Sequence, residues 1–171
     1  MTKRKPYRIL AFDISLSSPG VAVVDIVNGN AKVIAVGHVK TSKDDNYAIR
    51  TKHIESYMHL FIRRYAPYDA IVREGLNHKM PNIQYAIFSA WNAIDRALRD
   101  FDLKVTADPI GQAAVKKLVV GKGKAEKDEV AEAVRKLTGY KGEFAADDES
   151  DAVAVGLAYG IQSKLITKGS E

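Results

Sequence analysis

The sequence predicts an α/β fold: a five-stranded mixed sheet, three antiparallel strands followed by two parallel ones, flanked by helices. Three observations predict it. Three apolar runs crowd the first 40 residues, two long segments with helical spacing follow, and short strand-like runs come after each of those segments. YRILAFD at 7–13 reads as a buried strand and is followed by the turn-rich SLSSPG. VAVVDIV at 21–27 is the second strand, Asn28-Gly29 supplies a tight hairpin turn, and AKVIAVGHVK at 31–40 is the third. From Tyr47 to Tyr65 the apolar residues Ile49, Ile54, Tyr57, Met58, Phe61 and Ile62 keep helical spacing, and Pro67 closes the segment. DAIVRE at 69–74 gives a fourth strand, Pro81 to Asp100 a second helix, and LKVTA at 103–107 a fifth strand. A short helix at Gln112 to Lys117, a Gly/Lys loop at 121–124, a helix at about 125–137 and a last helix at about 147–165 complete the chain.

Composition narrows the chemistry. The 171 residues, 46% apolar and 27% charged, suit one globular domain spanning 1–171. No stretch approaches the roughly 18 uninterrupted apolar residues of a membrane span, and MTKRKPY lacks a signal-like apolar run, so a cytoplasmic protein is expected. The absence of cysteine removes disulfides, thiolate zinc sites and a cysteine nucleophile. His38, His53, His59 and His78 lack HExxH spacing and read as surface or structural residues, His78 in a loop. The net charge of +5 arises from 26 basic and 21 acidic residues. Basic residues crowd 3–8 and 116–127 and acids crowd 143–151, which suits a nuclease but equally a solubilising surface.

The acids carry the sharper signal. Asp13 and Glu74 each end an apolar strand, and they converge if those strands are neighbours. Asp148 and Asp151 lie three apart where a small-residue apolar helix, AVAVGLAYG, begins, so they share one side of it. Turn formation, ion pairing and helix capping account for each acid taken alone. Together they can hold two Mg²⁺ ions about 4 Å apart, with Mn²⁺ as a substitute, for phosphodiester hydrolysis.

Four segments in order, DISLSSPG at 13–20, IVREG at 71–75, AAVKKLVVGKGKAEKDEV at 113–130 and DDESDAVAVG at 147–156, resemble RuvC-type Holliday junction resolvases of the RNase H-like, retroviral-integrase superfamily. Small size and divergence between the motifs look like the phage-encoded branch, which implies the host-cell cytoplasm. The resemblance implies that Asp13 bridges two metals, that Glu74 ligates one, and that Asp148 and Asp151 complete the site, with Asp147 in reserve for Asp148. It places Lys116 and Lys127 near the scissile phosphate. Lys122 and Lys124, between Gly121 and Gly123, look like a phosphate cradle, and Lys117, Gln112, Asn77 and His78 are further expected DNA contacts.

The resemblance also implies a homodimer cutting four-way junctions and other branched DNA such as forks. The helix 81–100 with Trp91 is the expected interface, although its apolar face serves equally well as core. Where many relatives place an aromatic wedge, this chain has Asn77, which leaves Leu76, His78, Met80 or Tyr85 to open base pairs and implies looser selectivity. Three rival readings stay open: a ribonuclease acting on RNA–DNA hybrids, a branched-DNA-binding protein without activity, and an actin-like ATPase, for which the chain is short.

Overall fold

The computed structural model describes residues 5–76 and 79–167. Strands β1 (Tyr7–Asp13), β2 (Gly20–Val27) and β3 (Asn30–His38) form an antiparallel meander. Asn28 and Gly29 both take positive φ, 51° and 80°, as the tight β2–β3 turn requires. Helix α1 (Tyr47–Tyr65) returns the chain so that β4 (Ala70–Gly75) pairs parallel to β1. Helix α2 (Pro81–Arg99) leads to β5 (Ile110–Gly111), then α3 (Gln112–Val119), α4 (Lys127–Thr138) and α5 (Asp147–Gln162). The five strands run in the order β3-β2-β1-β4-β5, which puts the first strand at the centre.

The fifth strand lies elsewhere than the 103–107 pattern indicates. That segment runs beside β4, but Thr106 meets Ile71 partly through its side chain: its Oγ1 accepts from the Ile71 amide at 2.9 Å while its own amide donates to the Ile71 carbonyl at 2.9 Å. A hydroxyl in the acceptor position interrupts the backbone ladder. The ladder resumes at Ile110 and Gly111, opposite Glu74 and Gly75. The last helix likewise stops at Gln162, short of the expected 165.

Strand alternation sorts the core into two layers. Ile9, Ala11, Ala70 and Val72 face α5, behind which α3 and α4 pack. Leu10, Phe12 and Ile71 face α1 and α2, against Ile54, Met58, Ile94 and Leu98. Helix α5 lies close on the sheet because Gly156 has no side chain: a Cβ there would stand 3.2 Å from the Ala11 Cβ and 3.3 Å from a Val24 methyl. That close seat fixes the first turn of α5 over the end of β1.

Candidate active site

The two layers decide where the strand-end acids point. Asp13 follows Ile9 and Ala11 on the α5 side of β1, and Glu74 follows Ala70 and Val72 on the same side of β4. The parallel register, Ala11 opposite Val72 and Phe12 opposite Arg73, brings the two acids out side by side. Of the neighbouring acids, Glu74 is the one that bears most strongly on Asp13. Asp148 and Asp151 descend from the first turns of α5, and Asp148 Oδ2 accepts from the Ser18 hydroxyl at 2.8 Å.

Burial, first, and then the Glu74 charge and hydrogen bond hold the Asp13 carboxyl well above its ordinary range, with Asp151 and Asp148 adding to the rise. Burial and Glu74 push Asp151 up to about 6, against the opposing pull of Lys127. Asp13 and Asp151, both raised by their acidic neighbours, mark a site short of positive charge. Among the described residues no three acidic or imidazole side chains already meet around one point in a ligand arrangement. The donor set is nonetheless all hard oxygen, mutually repelling and partly desolvated, and it fits a divalent cation of the Mg²⁺ or Mn²⁺ type.

This electrostatic balance has a measurable consequence in chelator. Asp151 binds its proton more tightly folded (about 6) than unfolded (3.8), so the native state holds more protons between these values and stability falls as pH rises through that window. Thermal unfolding of the protein and of Asp151→Asn should give similar midpoints at pH 4. By pH 7 the Asn variant should be the more stable. Parallel curves would show that the Asp151 carboxylate carries no folding penalty.

Asp13 and Glu74 open on a cleft of about 500 Å³ walled by the β1–β2 loop (Ser15 to Ser17), by Gly75 and Leu76, and by Asn82, Ile83, Ala86, Ile87 and Trp91 of α2. Gln112 lines this cleft and also a small recess that contains Glu74, Lys116 and Asp151, so Lys116 converges on the acids as the motif implies. Lys127 sits 3.0 Å from Asp147 Oδ2, on the exposed side of α5. Asp147 is therefore a lysine partner, and of the two neighbouring acids it is Asp148 that bears on Asp13. Lys117 and Lys124 are exposed, whereas Lys122 pairs with Glu129, which halves the free charge of the expected cradle. Asn77 and His78 lie outside the described residues.

Helix α2 divides its apolar residues between two duties. Ala90, Ala93, Ile94, Ala97 and Leu98 are core. Trp91 borders the cleft, with the Arg73 guanidinium 3.9 Å above its ring. Met80, at the N-cap, and Tyr85 and Phe88 are left in solvent, with Phe88 edge-on to Trp91. Among the wedge alternatives, Leu76 lines the cleft and Tyr85 is 69% exposed.

Three features escaped the sequence reading. His38 Nδ1 lies 2.8 Å from Glu149 Oε1, and Glu149 Oε2 accepts from the Ala145 amide at 2.8 Å, which ties β3 to the start of α5. Ser18 holds Asp148, and Arg50 is buried at the cleft wall. The serine-rich SLSSPG run was the one visible signal for Ser18. Nothing in the local pattern marked Glu149 as the buried member of its acid run.

The family model of the crossover junction endodeoxyribonuclease RuvC matches residues 9–159. The RuvC of Synechococcus sp. (strain CC9605) is 30% identical over 155 residues, which is 91% of this chain and 99% of that protein. The Thermus thermophilus RuvC structure superposes with a TM-score of 0.77 at 25% identity, covering 92% of this chain and 96% of that one. T. thermophilus RuvC in complex with Holliday junction substrate shares the fold, with a TM-score of 0.80 at 24% identity over 93% and 96% of the two chains. With the family model matching residues 9–159 and the fold shared with these structures, the chain belongs to the crossover junction endodeoxyribonuclease RuvC family.

Proposed function

We propose that this protein is an endonuclease that cleaves phosphodiester bonds in Holliday junctions and other branched DNA, as a homodimer in the cytoplasm, with Asp13, Glu74, Asp148 and Asp151 as ligands of two Mg²⁺ ions. The observation that carries it is the convergence of Asp13 and Glu74 from adjacent parallel strands beneath the α5 acids. Bound divalent ions supply activation of a water and stabilisation of the leaving oxygen. The chain's own contribution is to position. Asp13 and Glu74 would hold the metal from the ends of adjacent strands, Ser18 aims Asp148, and Gly156 keeps α5 close enough for its acids to reach the sheet edge. Lys116 faces the same recess and neutralises phosphate charge, while Lys127 moderates Asp151.

Homodimeric assembly rests on the need to place two cuts symmetrically, and Met80 at the N-cap of α2 with Tyr85 and Phe88 on it are exposed apolar side chains near the cleft that could serve it. The deciding assay compares labelled four-way junction, fork and linear duplex, with and without Mg²⁺, at equal protein concentration. Metal-dependent cutting confined to the branched substrates is expected. Equal cutting of linear duplex would remove the structural selectivity, and cutting of RNA–DNA hybrids in preference to junctions would replace the reading altogether.

The lysines of the 121–124 loop give a separate result. Lys124→Ala should weaken junction binding and reduce the salt dependence by about one counterion. Lys122→Ala should do less, because Glu129 already compensates that charge. Titrations at several salt concentrations check both, and an unchanged slope for Lys124→Ala would take the loop out of the interface.

A further inference from the structure

Arg50, in the first turns of α1, is 7% exposed and lines the same cleft as Asp13 and Glu74. Its guanidinium is held by neutral groups: Nε donates to Thr41 Oγ1 at 2.9 Å and Nη2 to Ser17 Oγ at 3.0 Å. Thr41 is itself fixed, its hydroxyl donating to the Leu16 carbonyl at 2.6 Å and its amide to the Ser17 carbonyl at 2.9 Å. Among the described residues no carboxylate forms an ion pair with Arg50. Nη1 bonds to no described residue, and it is not sealed from solvent. A buried guanidinium is strongly disfavoured without a counter-charge, and two hydroxyls do not supply one. The arrangement fixes the position and direction of a cation that the protein itself leaves uncompensated.

From this geometry we infer that Arg50, presented by Ser17 and Thr41, is the seat for a backbone phosphate of the DNA strand lying in the cleft, next to the phosphate that is cut. The inference rests on the proposed nuclease reading, and it adds a contact outside the acid cluster and the lysine segment. A phosphodiester is a planar-fork partner of the right charge, and the serine-lined wall beside Arg50 offers further donors to it. Arg50 thereby sets the register of the strand over the metal ligands without itself meeting the reacting atoms.

The test couples the protein to single phosphates. Single-turnover cleavage is measured for the wild type, Arg50→Gln and Arg50→Lys on junctions carrying one neutral methylphosphonate at each position flanking the cut. Arg50→Gln retains donors for Ser17 and Thr41 and is expected to slow cleavage about 10- to 100-fold, as the loss of one charge-assisted contact does, with an unfolding midpoint near that of the wild type. Arg50→Lys should fall between, because it keeps the charge and loses the fork. One methylphosphonate position should slow the wild type by the same factor and slow Arg50→Gln no further. Penalties that multiply at every position, or a wild-type rate in Arg50→Gln, would overturn the seat. If Arg50→Gln is unfolded, the same coupling is read from Arg50→Lys, and its absence there is equally decisive. If the wild type binds junctions but cuts none, the nuclease reading fails, and the seat is still judged by the same coupling in Kd.

Discussion

Asp13→Asn is expected to lower Mg²⁺-dependent cleavage by about 1000-fold or more while leaving junction binding close to that of the wild type. The first half follows from position. Asp13 is the acid at the centre of the sheet, and Glu74, Asp151 and Asp148 all bear on it, so it is central to the proposed metal site. Removing its charge costs several kcal/mol of metal and transition-state stabilisation. The second half follows because the phosphate contacts proposed for this protein lie on other elements, among them the exposed Lys117 and Lys124. A third effect separates this account from a structural one. The Asp13 carboxyl is held well above its ordinary range by burial and like charge, so its ionised form opposes folding at pH 7. In chelator, Asp13→Asn should therefore unfold at a higher temperature than the wild type. Cleavage, binding and thermal unfolding on one preparation check all three. A variant that still cuts would remove Asp13 from the metal site, and one that melts earlier would make the carboxylate a structural group.

The parts of this molecule that were legible in its sequence are those encoded by local period. Apolar runs bounded by turn residues gave β1, β2 and β3, the Asn28-Gly29 turn gave the β2–β3 hairpin, and helical spacing gave α1 and α2 to within a residue. The fifth strand was not legible, because LKVTA has strand composition but Thr106 pairs with Ile71 through its side chain, and the actual strand is two residues next to a proline. Asp13 and Glu74 were legible because each is a charge ending an apolar run, and strand parity fixes which face they leave. The order of the four acids near α5 was harder. Asp147, Asp148, Glu149 and Asp151 look alike in sequence, and only packing shows that one pairs with Lys127, one with Ser18 and one with His38. Arg50 was invisible for the same reason: its partners lie 9 and 33 residues away, and no local pattern reports a contact of that kind.

Gly20→Ala is expected to cut activity by about 100-fold without touching a charged group. Gly20 opens β2 opposite Asp13, and a Cβ placed on it would collide with the Asp148 carbonyl. Backbone is what it meets, so no side-chain rotation can relieve the clash, and the first turn of α5 must lift from the sheet. Overpacking of this kind costs about 1–3 kcal/mol of stability. The larger effect is on the site, because Asp148 and Asp151 sit within one turn of the displaced segment, and a misplacement of about 1 Å in catalytic geometry costs on the order of 100-fold in rate. Weakened ligation should also raise the Mg²⁺ concentration at half-maximal rate, so that added metal recovers part of the loss. Gly111→Ala is the control: it lies near Glu74 across the β4–β5 pair, its φ of −63° suits alanine, and nothing stands within 4 Å of its Cβ. Cleavage rates across a Mg²⁺ titration, alongside unfolding midpoints, check the pair. Wild-type rate and metal requirement in Gly20→Ala would show that α5 can shift without consequence. The close seat of that helix would then contribute to packing alone, and the catalytic role assigned to its acids would fall with it.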